Sequence, residues 1–138
     1  MEQTKSRSER FLAVTALSGV AAGAFVVAWF NPVTAGFFPQ CPLYQATGLA
    51  CPGCGLTRAF HALFHGDVLT ALDYNALIPF YALFFVYLAA SLFSVAARGR
   101  GFSFKPFAPK IVYGFLVASL VFAVLRNLPF YPFSVLYP

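Results

Sequence analysis

FLAVTALSGVAAGAFVVAWF, residues 11–30, runs for twenty positions without a charged side chain. A helix of that length measures about 30 Å, the thickness of a bilayer's hydrocarbon core. Asn31-Pro32 follows and ends it. Outward from this stretch the same bias persists, with 60% of residues hydrophobic and 9% charged. Typical soluble domains carry about 25% charged residues to wet their surfaces. This chain cannot cover a water-facing surface, so its main solvent is lipid.

Two further apolar segments extend the pattern. ALIPFYALFFVYLAASLFSVAA, residues 76–97, is again uncharged, and Pro79 falls in its first turn, where an amide has no helical partner anyway. The segment Ile111–Leu125 is shorter. It is expected to span from about 107 to 126 with help from its flanks: Lys110 snorkels at one end, and Phe130, Tyr131 and Phe133 sit at the other interface. Lys5, Arg7 and Arg10 before the first span, with Val33-Thr34-Ala35 after it, also resemble a secretion signal. The apolar run exceeds the roughly 7–15 residues of a signal core, so a retained span is expected.

Charge placement sets the expected orientation. Lys5, Arg7, Arg10, Arg98, Arg100, Lys105 and Lys110 make up seven of the nine basic residues, and all lie on the two segments that share a side. The positive-inside rule makes that side cytoplasmic. The expectation is a multi-pass membrane protein with its N-terminus cytoplasmic and residues 31–75 and the C-terminus outside. The net charge of +5 is thereby a topological signal, and no nucleic-acid partner is expected. Membrane lipid, and another membrane protein, are the expected partners.

The outer loop is too long to be structureless. Phe37, Phe38 and Tyr44, with Pro39 and Pro42, read as an extended interfacial segment. Cys51-Pro52-Gly53-Cys54-Gly55 reads as a turn. A helix is expected from Cys54, with Leu56, Phe60, Leu63 and Phe64 on one face. Gly66 stops it, and Asp67 caps a second piece at Val68–Leu72. The first of these helices is too short to cross a bilayer, so it is either re-entrant or interfacial. The expected fold is a single all-α membrane domain, residues 1–138: three transmembrane helices plus that amphipathic helix.

Chemistry concentrates in CPGCGLTRAFHALFHGD, residues 51–67. Cys54, Arg58, His61 and His65 follow one another at spacings that form one stripe on a helix. Three chemistries fit. Cys51 and Cys54 have dithiol spacing, and a helix N-terminus together with Arg58 would lower the pKa of Cys54, with Cys41 as a resolving thiol. Cys41, Cys51 and Cys54 could supply three thiolates to zinc or copper. His61 and His65 lie about 10 and 16 Å along the helix from Cys54, too far to share its ion. Finally, the amides around Gly53 and Gly55, with Thr57 and Arg58, could hold an anion or lipid headgroup, and Arg126 is a further ligand candidate.

Plainer readings stand beside these. Two of the three cysteines could form a disulfide staple. The histidines could be interfacial polar residues, and Arg58 could pair with Asp67 or Asp73. Arg126, beside Asn127 at the end of the third span, could clamp onto Asp73 or Asn75. Asp67, Asp73 and Asn75 are read as structural.

The set Asn31-Pro32, Cys41-Pro42, Thr47-Gly48-Leu49, Cys51-Pro52-Gly53-Cys54-Gly55-Leu56-Thr57-Arg58-Ala59, Gly66-Asp67, Asn75 and Arg126-Asn127 resembles a bacterial family of small membrane proteins. That family is a domain of unknown function marked by a Cys-Pro-x-Cys-Gly-x-Thr-Arg-Ala signature, and the resemblance covers roughly residues 30–130. His61 and His65 lie outside the signature. The resemblance implies a polytopic membrane protein and supplies no activity, substrate or cofactor. No general base, carboxylate pair or cofactor fingerprint accompanies the cysteines. The expected function is therefore a non-enzymatic accessory or ligand-binding protein. The alternatives are a thiol-disulfide oxidoreductase using Cys51 and Cys54, with Arg58 tuning Cys54, and a three-thiolate metal-binding protein.

Overall fold

The computed structural model describes residues 7–101 and 109–130. Six helices follow in order: α1 Arg7–Trp29, α2 Pro42–Thr47, α3 Leu56–Phe64, α4 Val68–Tyr74, α5 Ile78–Arg98 and α6 Pro109–Leu125, with no strand among the described residues. Lys5, Lys105, Tyr131, Phe133 and the first two positions of the expected third span lie outside the described residues.

α1 and α5, of 23 and 21 residues, are long and apolar enough to cross a membrane. A soluble protein would bury such helices, yet Phe25, Trp29, Leu83, Val86 and Phe93 all face outward. An apolar surface of that kind suits lipid. α6 is also apolar but has 17 residues. That makes it about 25 Å long, short of the hydrocarbon core unless its flanks contribute. The three expected spans thus appear as two full-length candidates and one shorter apolar helix.

α1 and α5 pack against each other in opposite directions. Arg10 Nε and Nη2 donate to the carbonyl of Ala96 at 3.2 and 3.0 Å, and Nη2 reaches that of Ala97 at 3.3 Å. These carbonyls belong to the last turn of α5, where helical partners are missing and a cation is favoured. Arg7, Arg10, Arg98 and Arg100 therefore gather at one end of the hairpin. Residues 30–77 connect its other end.

That connection is structured. The stretch expected to be extended up to Tyr44 instead turns helical at Pro42. Proline suits the first helical position, and Gly48 closes α2 with a left-handed backbone at φ 73°. α3 begins at Leu56, two residues later than expected, because Gly55 precedes it at φ 79°. Only glycine adopts that conformation freely. α3 and α4 meet through Ala59, Ala62 and Ala71, whose small side chains allow close approach, with Ile78 of α5 completing the cluster. Asp67 caps α4 by accepting from the Thr70 amide at 3.1 Å, and the Thr70 side chain, followed by this amide, holds its carboxyl below the ordinary carboxylate range.

α3 lies beside the hairpin. Phe60 packs edge-on to Phe85 with ring centroids 5.5 Å apart. Phe85 sits about 10 Å along α5 from its start, at the rise of an α-helix. His61 Nδ1 meets the Val27 carbonyl of α1 at 2.7 Å. α6 touches α5 through Phe115, against Phe80 and Tyr81 at 6.2 and 5.5 Å. Its far end reaches the cysteine loop.

A candidate three-thiol centre

The Cys51–Cys54 segment is a tight turn, closed by the Cys54 amide donating to the Cys51 carbonyl at 3.0 Å. Cys41 precedes α2 with an extended backbone, and the reversal at Gly48 returns the chain toward it. The Sγ atoms of Cys41 and Cys51 are 3.3 Å apart, as are those of Cys51 and Cys54. All three lie within 4.8 Å of one another. A disulfide needs about 2.05 Å between sulfurs. The three thiols are free, so the disulfide staple is not what holds this loop.

Three side chains from distant segments hold it instead. Asn127 accepts from the Ala50 amide and donates to the Ala50 carbonyl, both at 2.8 Å, and also donates to the Ala123 carbonyl at 2.7 Å. Asn75 Nδ2 donates to the carbonyls of Pro52 at 2.8 Å and Cys54 at 3.2 Å, while its Oδ1 accepts from the Leu77 amide. Arg126 Nη1 donates to the carbonyls of Cys51 at 3.0 Å and Cys54 at 3.1 Å. Its guanidinium stands 4.9 Å from the Phe122 ring centroid, and the residue is fully buried. Buried carbonyls are costly without donors, so each of these bonds matters more than a surface one. Arg126 and Asn75 converge on one carbonyl, that of Cys54.

Electrostatics reverses the expected order of the thiols. The Cys54 thiol is pushed up from an ordinary 9.0 to about 12, chiefly because it is buried and then by its neighbouring thiols. The Cys41 thiol is brought down from 9.0 to about 7, chiefly by the Tyr44 amide in the first turn of α2 and then by hydrogen bonds with Cys51 and Cys54. Cys54 was expected to be the acidic thiol at the start of α3, tuned by Arg58. It precedes that helix by two residues, it is buried, and the arginine that bonds its carbonyl is Arg126.

The other expected residues divide between two recesses. Arg58 is exposed and lines a polar pocket with Asn31, His61, His65 and Asp67. No ion pair joins it to Asp67 or Asp73, which is also exposed, among the described residues. Thr57 faces an apolar groove beside Phe60 and Val27. The anion nest expected around Gly53 and Gly55 is partly closed, since the amides of Cys54 and Leu56 donate to the carbonyls of Cys51 and Gly53. A Cβ on Gly53 would come no closer than 3.9 Å to another side chain, so crowding does not demand glycine there. Asn127 was named in the sequence only as a neighbour of Arg126. The signal was a polar pair ending an apolar helix.

The cysteines form the one group among the described residues that could hold a metal ion, and neither histidine joins them. A tetrahedral zinc with Zn–S bonds of about 2.3 Å spaces its sulfurs about 3.8 Å apart. The observed separations need shifts of only about half an ångström to 1 Å to meet that value. The donor set therefore fits a soft ion.

No curated protein and no solved structure matches the chain. Residues 41–89, which hold all three thiols, α2 to α4, Asn75 and the first half of α5, match an uncharacterised family described as "Protein of unknown function (DUF2752)".

Proposed function

We propose that this chain is a small, non-enzymatic membrane protein whose outer loop holds a soft divalent ion through the thiolates of Cys41, Cys51 and Cys54. The observation that carries the reading is the meeting of three free Sγ atoms within 4.8 Å. They sit in a loop already fastened by Asn75, Arg126 and Asn127. Charge favours a divalent ion such as zinc over copper(I). Three thiolates and a 2+ ion leave one negative charge, and the adjacent Arg126 balances it. Binding must deprotonate Cys54, so affinity falls as pH falls.

In the membrane, the reading places α1, α5 and α6 as three spans of the inner membrane with the N-terminus cytoplasmic. The arginine-rich end of the hairpin supports this through the positive-inside rule. The position of α3 alongside Phe85 favours a re-entrant helix over one lying on the interface. Lipid, or another membrane protein, covers the outward apolar faces.

The test is metal analysis and native mass of the full-length protein purified in mild detergent. One ion per chain is expected, absent in Cys51→Ser and Cys54→Ser, with helicity retained. A metal-free wild type whose Cys51 exchanges disulfides with Cys41 or Cys54 overturns it in favour of thiol-disulfide chemistry. Cys51, at 3.3 Å from both neighbours, is the thiol such exchange would share.

A further inference from the structure

α3 borders two recesses that succeed one another along α1. The first is a groove of about 340 Å³ whose walls include Val20, Gly23, Val27, Phe60, Phe64 and Phe85. Its lining is apolar and comes from α1, α3 and α5. The second, about 240 Å³, begins four residues beyond Val27 at Asn31 and is lined by Arg58, His61, His65 and Asp67. An apolar slot along a span, followed by a polar pocket at the span's end, has the polarity of a lipid molecule.

The donors and acceptors of the pocket narrow the headgroup. His61 Nδ1 bonds the Val27 carbonyl at 2.7 Å, and His65 Nδ1 bonds the His61 carbonyl at 2.8 Å. A carbonyl only accepts, so each Nδ1 carries the proton, and an imidazole in its neutral form then keeps Nε2 as a lone-pair acceptor. Asp67 accepts one bond from the Thr70 amide and retains further acceptor capacity. Arg58 supplies a permanently charged fork of donors suited to phosphate. The pocket thus offers one cationic donor group beside three acceptors, one of them a carboxylate. A plain anion would meet Asp67 and two lone pairs. A phosphate diester joined to a primary ammonium matches every group.

We propose that the paired recesses bind one glycerophospholipid with a primary-ammonium headgroup of the ethanolamine type. Its phosphate lies on Arg58, its ammonium N–H groups point to His61, His65 and Asp67, and one acyl chain runs down the groove past Gly23. This rests on the membrane placement of α1 and α5 and is independent of the thiol centre.

The test reconstitutes the full-length protein with vesicles of phosphatidylethanolamine, phosphatidylcholine or phosphatidylglycerol and reads lipid retention by native mass spectrometry. Wild type is expected to retain about one phosphatidylethanolamine, with at least about tenfold preference over the other two. Phosphatidylcholine lacks N–H donors, and phosphatidylglycerol lacks the cation. Arg58→Ala should abolish retention. Asp67→Asn keeps a capping side chain and should erase the preference over phosphatidylglycerol. A Cβ at Gly23 meets nothing within 4 Å, and Gly23 lines the groove, so the longer side chain of Gly23→Leu should fill it and displace the acyl chain. Equal retention of the three lipids, a preference for phosphatidylglycerol, or unchanged retention in Arg58→Ala or Gly23→Leu overturns the proposal. The metal content of each variant, measured alongside, reports separately on the thiol centre.

Discussion

Arg58 and Arg126 carry the same charge and do opposite work. Arg58 stands four residues from Cys54 in the chain, yet it is exposed beside two histidines and an aspartate. Arg126, 72 residues away from Cys54, is completely buried and bonds the carbonyls of both cysteines of the turn. The arginine close in sequence serves a separate pocket. The remote one, with Asn127 beside it and Asn75 before α5, fixes the backbone that presents the thiols. A buried guanidinium must be hydrogen-bonded, and the carbonyls of a tight turn are well placed to accept.

Removing each arginine tests that contrast most severely. Arg126→Ala strips donors from two carbonyls inside the protein and should destabilise by about 3 kcal/mol or more. Arg58→Ala, at an exposed position, should stay within about 0.5 kcal/mol. Thermal unfolding in detergent measures both, and equal losses would break the comparison.

The asparagines come next. Asn75→Ala and Asn127→Ala should each destabilise by about 1–3 kcal/mol. Their double variant should cost less than the sum, because both hold one loop. Full additivity, measured in the same unfolding assay, would mean that the loop is not a single fastened unit.

Smaller again is the effect of pH on the metal-free protein. Cys41 has a depressed pKa of about 7, so its contribution to stability is complete above the ordinary 9.0 and is lost as pH falls toward 7. Cys54 is raised to about 12, so its contribution is complete below 9.0 and is lost as pH climbs toward 12. Together the two favour the fold most near pH 9.0. Alkylation followed by peptide mapping gives the direct reading: Cys41 should react increasingly through pH 7 while Cys54 stays protected. A faster Cys54 would sink the ordering.

What could be read in advance follows from composition and local backbone chemistry. Uncharged runs of bilayer length announced α1 and α5 within a few residues, because a helix long and apolar enough to cross a membrane is written in composition. The Asp67 cap and the Gly66 stop were legible from local backbone chemistry. α2 was not, since Pro42 among aromatics looks like extended chain until a proline is placed at a helix's first position. The three cysteines were visible as candidates by spacing, but their order of acidity was not. Acidity depends on which thiol is buried, and a spacing rule aimed at Cys54 could not show that its turn lies beneath Asn75 and Arg126.

By itself, then, the sequence determined that this is an all-helical chain with an apolar, outward-facing hairpin and a cysteine-bearing connection between its arms. Only the tertiary structure decided which residues hold that connection and which thiol is acidic. It also decided where Arg58, His61 and His65 meet. The acceptors involved are backbone carbonyls, which every residue possesses, so no pattern of side chains could have marked them before the chain was folded.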